Sequence, residues 1–536
     1  MAASPIAAAA SLLFRWSAAA FLTVVLVLGA GSSPRARPAG SGLRYAGAEF
    51  GADLSGRADS TAALQRCLDA AGPGGTCRVE RNAKLKVLGD LKIPANTTLD
   101  CGGAFPDASN AYARSWGRLP ALRLDSRHTI AARGPGVAIR HCLIIRAGMT
   151  FPVGNPSAYA GTAISGDGFA GLTLEDDILI GFATAVDANG VNRVFMWRVY
   201  ADGAGRPKPV IILGHNGDSG FLQDIKLQSL AAAAPFTCAS RIRPGIGLEF
   251  DHDAGEFLDN VVVQDFRVAD YRWIDSNSTM AGRIWSDFYA GCPKGRSIGF
   301  DLEDTTQMHF SQVAAYGSQT GVVITGNGPF QTVFFDELLA GDIGRDCLQL
   351  GDGRNGGAGT VVIGKLDLSN ASLSCARYGI DYEDKKASST ISIYDGSITN
   401  VHGRAPPYIY LDAGISPGVQ LRIHKLNTDL GPGADVYGGI AATPVSLASA
   451  AVLDLDPKVD IFRITGDADI RALRGVWSGR EITLIFSGRL TVRNGRDLAL
   501  AGGADFATRA GSVLRLFCYG TGGLPPVLCK EEWRSR

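Results

Sequence analysis

Five short stretches between His309 and Thr428 constrain this chain more than anything else in it. HFSQVAAYG from His309, TVFFDELLAGD from Thr332, TVVIGKLDLS from Thr360, TISIYDGSIT from Thr390 and VQLRIHKLNT from Val419 begin 23, 28, 30 and 29 residues apart. Each is rich in Val, Ile, Phe or Thr, alternates at least in part, and closes on Gly, Asp, Asn or Ser. A strand-plus-turn unit with such a period is the sequence form of a solenoid. One unit cannot bury its own apolar face, so neighbours must stack and the stack supplies the core. The period therefore predicts an all-β chain, a parallel β-solenoid.

Length and composition agree. At 536 residues the chain exceeds one compact core, whereas a solenoid grows by adding coils. Its 68 glycines are spread along the chain, as corners with positive φ require. Lys plus Arg equals Asp plus Glu at 52 each, so no basic surplus points to nucleic acid as a partner. A local basic groove for an acidic substrate stays open, because net charge says nothing about patches.

Trp16 to Ala30 (WSAAAFLTVVLVLGA) follows Arg15, is mostly apolar, and ends in the small residues of Leu28-Gly29-Ala30. That is the length of a signal-peptide core and short of the roughly 20 residues a spanning helix needs. Residues 1–30 are read as a signal peptide or membrane anchor and 31–42 as a linker. Either way the body is exported: periplasmic, extracellular or on the cell surface. Ten cysteines fit export and fall in sequence-adjacent couples: 67 with 77, 101 with 142, 238 with 292, 347 with 375, and 518 with 529. Spacing alone leaves connectivity open. One couple has a physical argument, since 347 and 375 lie 28 apart, close to one period. Stacked coils are about 4.8 Å apart, within disulfide reach. No C-x-x-C occurs, which argues against zinc or redox chemistry.

Upstream, Asp59 or Ser60 can cap a short amphipathic helix through Ala62, Ala63, Leu64, Leu68 and Ala71, stopped by Gly72-Pro73-Gly74-Gly75. Strand text follows at Thr76–Val79, Leu85–Leu88 and Thr97–Leu99. A helix before strands is how a solenoid end is protected from edge pairing. Phe50-Gly51-Ala52-Asp53, Asp59-Ser60-Thr61-Ala62-Ala63-Leu64-Gln65, Gly74-Gly75-Thr76 and Leu91-Lys92-Ile93-Pro94-Ala95-Asn96-Thr97-Thr98-Leu99 together resemble the opening of the pectate-lyase-like superfamily. Its members include polygalacturonases, rhamnogalacturonases, epimerases and tail-spike depolymerases. The text departs at Ser55-Gly56-Arg57, where GDG is usual, and at Asp100-Cys101-Gly102. The resemblance covers about 60 residues and implies a right-handed parallel β-helix with carbohydrate-related work. The N-T-D element of polygalacturonases is missing at its expected place, so that family's standard site is not expected here.

The helix of coils is expected over 43–430, with insertions at Ser229–Pro244 and Asp270–Gly295 leaving it as loops. A linker over 431–455 and a β-rich module over 456–536 follow. The wording of the module resembles a small C-terminal β unit of some tail-spike-like proteins. That likeness implies glycan binding or a homotrimer, while a plain cap on the last coil explains it as well.

Cleaving a glycosidic bond by hydrolysis needs an acid and a second carboxylate across the bond. Lyase chemistry on uronates needs a base and a group that neutralises the carboxylate, such as Arg, Lys or Ca²⁺. No cofactor is expected for a hydrolase; Ca²⁺ is the expectation for a lyase. The densest candidate is Asp251-His252-Asp253 with Glu249 and Glu256. Extended backbone puts Glu249, Asp251 and Asp253 on one side and His252 on the other, and three such carboxylates need a proton, a cation or a positive partner. His215 and Asp218, about one coil upstream, offer an acid or base at a strand end, though Asn216-Gly217 between them is also turn text. Asp301 and Glu303 share a side downstream. For sugar stacking, Trp197, Trp273, Trp285 and Tyr289 are the candidates, concentrated beside the acids. The function expected is an exported polysaccharide-processing enzyme, hydrolase or lyase, in a groove over the middle coils. The alternative is a non-catalytic β-helix that binds or organises polysaccharide.

Overall fold

The computed structural model describes residues 42–535 apart from 104–115, 167, 169–170, 216–219, 233–236, 290, 327–330, 352–358, 369–374, 383–389, 399–408, 412–419, 424–425, 429–443, 457–460, 477–480 and 521–526. The expected leader, most of its linker, and Asp218 lie outside the described residues.

The five rungs stack in parallel register. Met308 lies beside Val333, Val333 beside Val361, Val361 beside Ile391 and Ile391 beside Leu421, so the coil lengths here are 25, 28, 30 and 30 residues. They belong to a sheet of 20 described strands, hereafter sheet A. Between successive rungs the chain makes a second strand, and 12 of these form sheet B on another wall of the coil. Those strands are short, such as Ile298–Glu303, Thr320–Thr325 and Asp346–Leu350. The fold is the parallel β-helix that both the period and the resemblance implied.

Alternation decides what each strand buries. In sheet B the inward ladder runs Phe250, Trp273, Leu302, Ile324, Leu350 and Tyr382, one residue per coil. All six are buried in one continuous core with Leu222, Leu258, Phe310 and Phe335 of sheet A. Phe250 and Trp273 stack at 5.2 Å and Tyr271 and Phe300 at 4.7 Å, each such pair adding about 0.5–1.5 kcal/mol beyond its buried area.

At the start of the helix, Thr61–Ala71 is helical and buries Ala63, Leu64, Cys67, Leu68 and Ala71. Ser60 is the N-cap but its Oγ accepts from Asp53 N, not from the helix; Asp59, one residue earlier, accepts from the Thr61 amide through Oδ1 at 3.0 Å. All five cysteine couples are disulfides, Cys347–Cys375 with a Cα separation of 5.5 Å across adjacent coils. Five bridges suit an oxidising, exported setting. No described helix is long and apolar enough to cross a membrane.

Two expected boundaries change. Asp270–Gly295 is not an excursion, because Ala269–Ile274 and Met280–Asp287 are a sheet B and a sheet A strand of one full coil. The Cys, Pro and Gly text at its end masked two alternating segments. The expected linker of 431–455 contributes strands Val445–Ala448 and Val452–Asp454, which pair with Ile461–Thr465 and Ala472–Arg474. The C-terminal module thus starts earlier, has a core of its own around Phe462, Leu484, Phe486 and Leu514, and ends in an antiparallel hairpin closed by Cys518–Cys529.

Candidate functional site

The outer face of sheet B carries the acids. Register places Glu249 beside Arg272 and Arg272 beside Asp301, and places Asp251 and Glu303 on either side of Ile274. The expectation that Asp301 and Glu303 share a side holds. Arg272, which sequence reading did not single out, stands among three carboxylates. Its Nη2 donates to Glu303 Oε2 at 3.1 Å, Nε lies 3.4 Å from Asp301 Oδ2, and Nη1 lies 3.9 Å from Glu249 Oε2. Burial pushes Asp301 up to about 6, with Glu303 adding to the rise and Arg272 opposing it. Burial raises Glu249 too, again against Arg272. The face therefore holds one carboxyl raised to about 6, Asp301, with Glu249 and Glu303 gathered round the same guanidinium rather than facing each other across an open groove.

At the ends of five consecutive sheet B strands the chain turns through a left-handed residue. Gly190 does so in one coil, and His215, His252, Asp275 and Asp304 follow in the next four, with φ of 60°, 53°, 48° and 53° for the latter. The corner stays in the ladder: His215 N donates to Asp251 O, His252 N to Ile274 O and Asp275 N to Glu303 O, each at 2.9 Å. This turn overturns the expected alternation. The strand ends at Asp251, so His252 swings back onto its neighbour, Nδ1 lying 2.6 Å from Asp251 Oδ1, instead of facing away. His252 Nε2 lies 3.2 Å from Asp275 Oδ2, and His215 Nε2 lies 3.3 Å from Asp251 Oδ2. The two imidazoles stack, centroids 5.0 Å apart. The hydrogen bond to Asp251 raises the His252 pKa.

The same turn removes Asp253 from the acidic face. It is buried, its Oδ1 accepting from the Ala254 amide, and it neighbours Glu256. Glu256 is buried just before the sheet A strand Phe257–Asp259, with Thr279 Oγ1 donating to its Oε2 and the bare Gly220 one coil away. Burial, then the charge of Asp253, pushes Glu256 up to about 8; burial raises Asp253 as well. These two form an interior pair that a polymer cannot reach, so Asp253 is corrected from a surface catalyst to a core carboxyl.

The outer face of sheet A carries the aromatics. One register line runs Phe195, Phe221, Phe257, Met280, His309, Phe334 and Val362, a residue per coil over seven coils. At parallel-strand spacing that stripe is about 29 Å long. Phe195, Met280 and Phe334 are exposed, and Phe221 stacks on Phe257 at 5.2 Å. Trp197 and Trp285 lie exposed on the same sheet, Trp197 under Arg198 at 4.3 Å and Trp285 against Tyr316 at 5.4 Å. Tyr289 is exposed just past the strand, with Arg241 over its ring. Trp273 is the exception and a correction: strand parity turns it inward, where it is 0% exposed in the core. Sequence reading missed the stripe, although Phe195, Phe221 and Phe257 recur at coil-like spacing. The acids and the aromatics thus sit on different sheets, not side by side.

No family model and no curated protein matches the sequence. Among solved structures, the chain is similar to the Dettilon tailspike protein, at 11% identity over 72% of this chain and 68% of that one, TM-score 0.32. It is similar to the Family 28 exopolygalacturonase of Yersinia enterocolitica at 10% identity, covering 74% and 78%, TM-score 0.32. A third is the surface protein and adhesin PfbA of Streptococcus pneumoniae, at 10% identity, covering 74% and 99%, TM-score 0.31.

Proposed function

We propose that this exported β-helix protein binds polysaccharide along the outer face of sheet A. The observation that supports the reading is the seven-coil stripe, with Phe195, Met280 and Phe334 left exposed. Monomeric proteins rarely leave such a run open without a partner. Sugars present apolar C–H faces that stack on rings, and a linear polymer can follow a line of them from coil to coil. Trp197 and Trp285 flank the line with indole N–H groups for sugar oxygens. The test is affinity of the full chain for a panel of acidic and neutral glycans, with Phe195→Ala and Phe334→Ala. Both rings are surface residues, so the fold survives and each substitution weakens binding by up to about tenfold, one stacking contact of about 1.4 kcal/mol. Unchanged affinity in the double variant refutes the stripe.

A second reading, hydrolase or lyase chemistry, is favoured by one observation. Asp301, at about 6, is partly protonated near neutral pH, with Glu249 and Glu303 around the same Arg272. Incubation with the same glycans, with and without Ca²⁺, separates unsaturated products (lyase) from new reducing ends alone (hydrolase). Asp301→Asn abolishes either activity if the acids do the work. Binding without any product leaves the stripe reading standing and removes the enzymatic one. A homotrimer, which the C-terminal wording suggests, is tested by the solution mass of the full chain.

A further inference from the structure

We propose that His215, Asp251 and His252 form a binding site for one divalent transition-metal ion of the zinc or cobalt class, with Asp275 holding the His252 ring in place. The donor atoms of the first three residues all lie within 4.8 Å of one another. The His215 Nε2 to Asp251 Oδ2 distance of 3.3 Å matches the edge of a tetrahedron with metal bonds of about 2.0–2.1 Å. His252 Nδ1 faces Asp251 Oδ1 at 2.6 Å, a hydrogen-bond distance; metal binding displaces the proton between them and opens that pair to the tetrahedral edge. With Nδ1 on the metal, Nε2–H donates to Asp275 Oδ2 at 3.2 Å. That is the carboxylate–histidine–metal arrangement that sets the tautomer and orients the ring.

A second observation comes from the backbone. Both histidines occupy the left-handed corner that Gly190 fills one coil before. Side chains pay for that conformation, so glycine is the easy choice there. Two successive coils instead place imidazoles, stacked 5.0 Å apart and about half exposed, over a single carboxylate. The donor set of two nitrogens and one oxygen suits zinc, cobalt, nickel or copper. Calcium and magnesium need six or more oxygens and are poorly served. Three protein ligands leave one position open toward solvent, the pattern of metal sites that hold an exchangeable water. The cysteines play no part, so the lack of C-x-x-C does not bear on this site.

The test uses the full chain, stripped with chelator and free of any histidine tag, titrated with Co²⁺ and read by its visible absorption, then with Zn²⁺ in competition. One Co²⁺ per chain with the strong absorption of four-coordinate cobalt is expected, displaced by Zn²⁺ and not by a large excess of Ca²⁺. His215→Ala and His252→Ala each abolish the band, and Asp275→Asn weakens binding about 10–100-fold at unchanged stoichiometry. His309→Ala, whose imidazole pairs with Asp336 on sheet A, leaves the band intact. Thermal melts of the apo variants that match wild type show that the substitutions act on the site. Absence of a band in wild type, or an equal band in the His215 and His252 variants, overturns the proposal. An unaltered affinity in Asp275→Asn removes Asp275 from it.

Discussion

Glu256→Gln tests the interior of the coil most directly. Glu256 is 1% exposed, faces Asp253, and is pushed up from 4.5 to about 8, chiefly by burial. Between those values the folded chain holds a proton that the unfolded chain has released. Stability from this group is therefore fully present at acid pH and is lost as pH rises through about 8. The rise corresponds to at most about 5 kcal/mol, at 1.36 kcal/mol per pH unit. Water entry and relaxation around the bare Gly220 reduce the expected loss to about 2–3 kcal/mol. Gln keeps the shape, accepts from Thr279 and can donate to Asp253, yet has nothing to ionise. The variant should match wild type within about 1 kcal/mol at pH 5 and exceed it by about 2–3 kcal/mol at pH 9. Stacked coils need not unfold as one unit, so the assay is amide hydrogen exchange across residues 246–287, corrected for the intrinsic pH dependence of exchange. Identical pH dependence of opening in the two proteins would refute the assignment of Glu256 as a buried, protonated carboxyl.

Other expectations follow from the same geometry. Arg272→Ala leaves Glu249, Asp301 and Glu303 uncompensated and destabilises the fold by about 1–3 kcal/mol at alkaline pH; because Arg272 lowers Asp301, the variant takes up that proton above the wild-type value of about 6, and the deficit shrinks as pH falls toward about 6, which urea midpoints across that range check. Trp273→Ala costs about 3–5 kcal/mol in thermal or urea unfolding, whereas Trp285→Ala stays within about 0.5 kcal/mol and shows its effect in glycan affinity. Replacing Cys347 and Cys375 by Ser costs about 3–4 kcal/mol, the closure entropy of a loop of 28 residues, measured against wild type under non-reducing conditions.

Much of this molecule is written locally. The period of the rungs from His309, the helix at Thr61–Ala71 and the parity that faces Asp301 with Glu303 all depend on near neighbours in the chain. A stacking fold repeats the same short-range rule, so those features could be read without coordinates. The β-helix, its coil length and the 347–375 bridge belong to this class. What the sequence could not supply was phase at the corners. A single left-handed residue at His252 ended the alternation, turned the imidazole onto Asp251 and carried Asp253 into the core with Glu256. Strand parity in Ala269–Ile274, hidden within text that read as an insertion, sent Trp273 inward and brought Arg272 out among the acids. The stripe from Phe195 to Val362 and the cluster of His215, Asp251, His252 and Asp275 join residues that lie a coil apart. Coil lengths vary, so only the register of the stacked strands could decide which of them meet.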